Sequence, residues 1–332
     1  MGLSPAFRIE ANKSDITAVI SERFRSLTIN DNAGVQSDSL SITLADNNPL
    51  QPISIPNTGA ELEVWIGYDQ QAVKMGLYIV DEVGLSGPPG VMTIRAKAAP
   101  QTKTPAGKSA LQTQKWRSWD AGLTLGELVS TIAQEHGLDP STPADLAVQV
   151  LPHYDQVGES DINLLTRAAK NYDAFVKPAN GKLLVTRKAV SETVSGKPLP
   201  VVMVNAGELT DWSLTIQERE SYQSVTATWY DQDAAEEKTV TAGQGEPIKA
   251  LRHSYKSEAE ARAAAKSELN GKARGKSSIT FSMPGRTDVI AEARLRLTGL
   301  RPGVNQEWLI TKATHTIDGR GYRVSGSAEL PL

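Results

Sequence analysis

Apolar and polar residues alternate in short runs near both ends of this chain, and a two-residue period restricts those runs to strands with one dry and one wet face. Leu40, Ile42 and Leu44 alternate with Ser39, Ser41 and Thr43, and Leu62, Val64 and Ile66 alternate with Glu61, Glu63 and Trp65. Gly76 to Val83 and Val91 to Ala98 read as two further strands, joined by the turn-rich stretch Gly84 to Gly90. The pattern returns after residue 195, with Val225, Ala227 and Trp229, then Ile279, Phe281 and Met283, then strands over 294–298, 307–313 and 322–328. The residues between are helical in pattern. Thr124 and Glu127 form a capping box ahead of an apolar face of Leu125, Leu128, Val129 and Ile132, and Gly137 can close that helix. A second helix starts at Ser160, with Ile162, Leu165 and Ala169 on one side, and Asn180-Gly181 between apolar runs predicts a hairpin. One more helix is expected from Ser257 and Glu260 to Gly271.

The two strand regions repeat one another. Ala60-Glu-Leu-Glu-Val-Trp-Ile-Gly67 has its counterpart in Ala293-Arg-Leu-Arg-Leu-Thr-Gly299, Tyr78 to Val83 in Trp308 to Ala313, and Val91 to Ala96 in Tyr322 to Ser327. The order of the strands and the turns ending at Gly90 and Gly321 agree. A chain of 332 residues can hold two or three cores. The expected fold class is therefore α+β, mainly β: two related antiparallel β-barrels at 1–105 and 196–332, with a small α/β module inserted at 106–195. Residues 100–110 read as a linker. Three such chains in a ring would present six similar units, able to match a six-fold object on one side and a three-fold object on the other.

Composition narrows the function. A net charge of −3 offers no general basic field for nucleic acid. The absence of cysteine removes disulfides and thiolate metal sites. Met1-Gly-Leu-Ser-Pro-Ala-Phe-Arg has no apolar core, so it does not read as a secretory signal, and Ala6 stands where N-myristoylation wants Ser or Thr. No apolar run reaches the roughly 18 residues that span a bilayer. The expectation is synthesis in a reducing cytoplasm, without stable membrane insertion, and, if the protein leaves the cell, release by a route other than Sec export.

Candidate chemistry is sparse. Gly271-Lys-Ala-Arg-Gly-Lys-Ser277 has three residues between its glycines where a phosphate loop needs four, and a helix precedes it where a strand should. It reads as a helix end and basic turn; a middle option is that Lys272, Arg274 and Lys276 contact an acidic neighbour in an assembly. Thr102 to Ser109 lacks the upstream glycine, and Gly84-Leu-Ser-Gly87 is too short for a nucleophile elbow. His136, His153, His253 and His315 are far apart in sequence, without a zinc-binding spacing. His136 suits a helix C-terminus and His315 a structural hydrogen bond at a strand end. Glu159/Asp161 and Asp231/Asp233 are the carboxylate pairs a glycosidase would need, but the first flanks a helix N-terminus, where carboxylates are stabilising. Tryptophans 65, 116, 119, 212, 229 and 308 are dispersed, against a carbohydrate-binding surface; Trp116 and Trp119 are read either as local packing or as an interface anchor. No catalytic, cofactor-binding or metal-binding residue is assigned, and no cofactor is expected.

The run Met283-Pro-Gly-Arg-Thr-Asp288, followed by Leu295 to Gly299, Arg301-Pro-Gly303, Glu307 to Ile310, Thr314-His315 and Gly321-Tyr322, resembles the end of phage late control D proteins. Gly158 to Leu165 and Gly181 to Leu184 also look like that family. The resemblance implies the hub of a contractile phage tail, with R-type pyocins carrying a domesticated version and secretion spikes of the VgrG type as relatives. It implies two tail-tube-like domains and a homotrimer of pseudo-six-fold symmetry. The implied partners are the tail tube protein, the central spike protein, other baseplate proteins and a tape-measure protein ending in the lumen, with no specific nucleic-acid binding. The chain ending at Leu332 without a needle extension implies a separate spike protein. A cell-wall-degrading enzyme of the tail tip and a receptor- or carbohydrate-binding barrel are the alternatives.

Overall fold

A computed structural model describes residues 4–34, 38–48, 50–69, 71–98, 111–179, 181–191, 198–217, 222–232 and 234–331. The first region contains β1 (Pro5–Ala11), β2 (Ser14–Asp15), α1 (Thr17–Ser21), β3 (Phe24–Asn32), β4 (Ser39–Ala45), β5 (Glu61–Tyr68), β6 (Gln71–Ser86) and β7 (Val91–Ala98). The period-two residues Leu40, Ile42, Leu44, Leu62, Val64 and Ile66 are all buried, as one-faced strands require. Strand β6 is longer than expected: it continues through Gly84, Leu85 and Ser86 before the turn.

The middle region contains β8 (Gln114–Trp119), α2 (Leu125–Glu135), β9 (Asp139–Ser141), α3 (Ala144–Ala147), β10 (Tyr154–Ser160), α4 (Asp161–Lys170), β11 (Ala174–Ala179) and β12 (Lys182–Arg187). Both halves of the Thr124/Glu127 capping box form, and Gly137, at φ +65°, follows the α2 C-cap. β11 and β12 pair antiparallel across the expected hairpin, with Gly181 at φ +75°; Asn180 lies outside the described residues, as does the linker 100–110.

The last region contains β13 (Val201–Asn205), β14 (Asp211–Ile216), β15 (Ser224–Asp231), β16 (Glu236–Gly243), β17 (Ile248–Tyr255), α5 (Glu258–Arg274), β18 (Ser277–Pro284), β19 (Arg294–Thr298), β20 (Glu307–Asp318) and β21 (Gly321–Glu329). Ser257 Oγ caps α5 through the Glu260 N–H, and the helix runs three residues past Gly271.

Two compact units emerge. The first joins residues 1–99, 199–214 and 279–328; the second joins 100–198, 215–278 and 329–332. In the second, α2 and α4 bury Leu128, Ile132, Leu164 and Leu165 against β11 and β12, and α5 lays Ala261 and Ala265 on the small sheet β16-β15-β17.

The main sheet has 13 strands along the path β14-β18-β21-β20-β3-β4-β7-β6-β5-β1-β2, with β19 and β13 branching from β20. The path is open, so the expected pair of closed barrels is replaced by one sheet that both strand regions share. The cause is the length of β20: its first residues pair with β19, and Lys312–Asp318 then pair with β3. Within the sheet the repeat extends to matched hydrogen bonds at the ends of β5 and β19. Leu62 faces Tyr78 as Leu295 faces Trp308. Val80 donates to Ala60 and accepts from Gly59; Ile310 donates to Ala293 and accepts from Glu292. Gly59 and Glu292 both have positive φ, +88° and +69°. The neighbour relations β3·β4, β4·β7, β7·β6, β6·β5 and β5·β1 recur as β14·β18, β18·β21, β21·β20, β20·β19 and β19·β13. One relation differs: β1 meets β5 antiparallel, whereas β13 meets β19 parallel.

Candidate functional site

A site must begin with reactive side chains that are not already committed. Among the described residues, Glu135, His136 and Asp161 are grouped with donor atoms within 4.8 Å, as metal ligands would be. The surrounding residues decide what this group is. Asp161, fully buried at the start of α4, accepts from Lys115 Nζ (2.7 Å), Arg117 Nη2 (2.8 Å), Gln156 Nε2 (2.8 Å) and His136 Nε2 (2.6 Å). Glu135 accepts from Lys115 and Arg117 as well. Burial alone would raise the Asp161 carboxyl, but the bonds from Gln156, Lys115 and His136 and the Arg117 charge outweigh it and hold it at about 2. Two cations already balance two carboxylates, so a divalent ion would meet an ammonium and a guanidinium at the same oxygens. The cluster ties β8, β10, α2 and α4 together. The expectation for His136 stopped at the helix dipole and missed Asp161, although Lys115 and Arg117, two apart on one strand face, were a readable signal.

The other candidate carboxylates among the described residues are also paired. Glu159 is bonded to Arg167 and Asp231 to Lys238; Asp233 lies outside the described residues. A cleft of about 570 Å³ in the second unit holds Asp145 and Asp173, yet Asp145 binds Arg187 and Asp173 binds Arg274. Arg274 is buried, bidentate to Asp173 at 2.5 and 2.7 Å, with Glu329 at 3.5 Å. The basic run 271–277 therefore spends its arginine inside the fold and does not present it to a neighbour. Gly84, Leu85 and Ser86 end β6, and Gly87 begins the turn after it.

His315 is fully buried in β20. Its Nδ1 faces the Tyr322 hydroxyl at 2.8 Å and its Nε2 the Val289 carbonyl at 2.9 Å. Burial lowers it to about 4, despite the Val289 carbonyl and the Asp288 charge. The ring is thus neutral, accepting from Tyr322 at Nδ1 and donating to Val289 at Nε2. Gly285 belongs to the same knot: its N–H donates to the Tyr322 carbonyl, and an added Cβ would stand 2.2 Å from the Tyr322 ring. Trp308, also fully buried, donates its indole N–H to the Val304 carbonyl. The motif residues of the last region are structural members of the main sheet. The remaining histidines, His153 and His253, line a second cleft, where His153 bonds exposed Asp155.

The tryptophans divide. Trp119 packs on the second unit's core, bonds Gln156 and carries Arg117 over its ring. Its neighbour Trp116 is 71% exposed, opposite exposed Val157. Trp65 lies between Arg8 and Lys74. No helix among the described residues is long and apolar enough to cross a membrane.

The profile of the family described as phage tail baseplate hub (GPD) matches residues 39–320. A probable baseplate hub protein of Escherichia phage 186 is 31% identical, the match covering 99% of this chain and 94% of that protein. The 43 kDa tail protein of prophage MuSo2 from Shewanella oneidensis has a similar fold, with a TM-score of 0.70 at 15% identity and 99% of both chains covered. A type VI secretion component from E. coli, described as structurally similar to the T4 tail proteins gp27 and gp5, reaches a TM-score of 0.55 at 10% identity, covering 93% of this chain and 74% of the other.

Proposed function

The chain belongs to the phage tail baseplate hub family, and from that membership we propose that it is the trimeric adaptor between the six-fold tube of a contractile tail and its three-fold central spike. The observation that carries the reading is the duplicated hydrogen-bond pattern, with Val80 and Ile310 at matching points of two strand sets in one chain. Three chains supply six such sets, enough to seat a hexameric tube, while each chain appears three times to a spike. The two sets are tail-tube-like units, carried by segments 1–105 and 196–332, and the 106–195 module is an insertion on them. The mechanism is mechanical. Open strand edges and polar sheet faces hold neighbours, and the committed state of Asp161, Asp173, Asp145 and Glu159 supports a structural role.

The partners on this reading are two further copies of the chain, the tube protein, the spike protein and other baseplate proteins, with a tape-measure protein ending in a wide polar lumen. Nucleic acid is not bound specifically. The protein is a component of a virion tail or of a phage-tail-like particle released by lysis, and both versions use the same geometry.

Electron microscopy of the purified chain, alone and co-expressed with a candidate spike protein, tests the reading. A three-fold ring of six similar lobes around an open centre is the expected result. A compact monomer under both conditions overturns it.

A further inference from the structure

The two strand sets match until one edge, and the place where they part company is informative. Past Ile310, β20 leaves β19 and takes β3 as its neighbour. Past Val80, the counterpart of Ile310, β6 leaves β5 in the same way. Its Asp81–Ser86 stretch then has β7 on one side and, among the described residues, no strand on the other. The counterpart of β3 is β14, and β14 ends the strand path with, among the described residues, no strand on its far side. Each chain thus fills one of two equivalent seams internally and is left with the two halves of the second.

The side chains at these halves are mixed: Asp81, Glu82, Ser86, Asp211 and Ser213 are polar, whereas Val83, Leu85, Leu214 and Ile216 are apolar. Leu85 is 55% exposed and Ile216 is 63% exposed, each on a strand with one edge that no other described strand covers. A bare edge with large aliphatic side chains invites strand addition. Another edge is guarded instead: Arg286 Nη1 occupies the Met203 carbonyl of β13 at 2.9 Å.

We propose that the β6 edge of one copy pairs antiparallel with the β14 edge of a second copy, reproducing between chains the seam that β20 and β3 make within one. This rests on the ring reading above. Carried over by the matched bonds, the β20–β3 register sets Leu85 opposite Leu214 and Val83 opposite Ile216, where His315 faces Ile29 and Ala313 faces Asp31 in the internal seam. The two edges are unlike, so the contact is head-to-tail and leaves no free edge only when the ring closes. Internal and intermolecular seams then alternate around it.

The chain has no cysteine, which makes cross-linking clean. Residues directly opposite across strands have Cβ atoms about 4.5–5.5 Å apart, near disulfide range. Full-length chain carrying Leu85→Cys and Leu214→Cys, and a second variant carrying Val83→Cys and Ile216→Cys, are oxidised and run on a denaturing gel. Covalent dimers and trimers are expected at ten times or more the yield from Leu85→Cys with Met203→Cys. In parallel, Leu85→Asp is expected to abolish the trimer by mass photometry while leaving the circular dichroism spectrum unchanged. A trimer that survives Leu85→Asp and resists cross-linking at both pairs overturns this seam and leaves the ring reading standing. Failure to form any trimer, alone or with the spike, overturns the ring and the seam with it.

Discussion

His315 carries the most testable electrostatics in the molecule, because its neutral form is built into the sheet. Its folded-state value of about 4 lies below the 6.5 of an exposed imidazole. The unfolded chain therefore takes up a proton first as pH falls. The contribution is present in full above pH 6.5 and is lost as pH drops toward 4, by about 3 kcal/mol at 1.36 kcal/mol per unit. Glu260 and Glu329, raised by burial, act with the opposite sign over part of this range. Wild type and His315→Gln should therefore be compared by urea unfolding at pH 7.5 and pH 5. The wild type is expected to lose more stability on acidification than the variant, and equal losses would show that His315 is not held neutral. The sequence placed a structural hydrogen bond at His315, but not its partners, since Tyr322 and Val289 meet it only across the folded strand and loop.

At the scale of elements, the ion pair Asp173–Arg274 fixes the end of α5 to the turn before β11. Arg274→Met strands a buried carboxylate, and breaking such pairs costs about 3–5 kcal/mol. The double variant Arg274→Met/Asp173→Asn, which keeps a residue tolerant of the positive φ at position 173, should recover part of that loss in thermal melts; a single variant as stable as wild type would contradict the pairing. This pair explains why α5 outruns its expected stop at Gly271, since three more helical residues carry the guanidinium to Asp173. What was legible at this scale had a local cause. Thr124 and Glu127 cap α2, and Leu40, Ile42 and Leu44 face one way, because neighbours in sequence decide both. What was illegible depended on distant partners: β13 running parallel to β19, and β20 changing neighbours from β19 to β3, replace two closed barrels by one open sheet.

At the scale of the whole molecule, a chain whose two sheet edges complete each other only in a closed ring has a stability set partly by its own concentration. Each seam adds backbone hydrogen bonds and covers Leu85 and Ile216, and none of this exists in the monomer. Anything that binds the native state alone stabilises it by mass action, so a trimer gains about 0.9 kcal/mol per chain for each tenfold rise in protein concentration. For a chain of this size that corresponds to a rise in Tm of roughly 1–3 °C per decade. Wild-type melts over a hundredfold concentration range should move accordingly, and Leu85→Asp melts should superimpose. A wild-type midpoint that stays fixed across concentrations spanning trimer and monomer would mean that closure leaves the folded chain no more stable. The ring would then have to be held by the tube and spike instead of by its own strand edges.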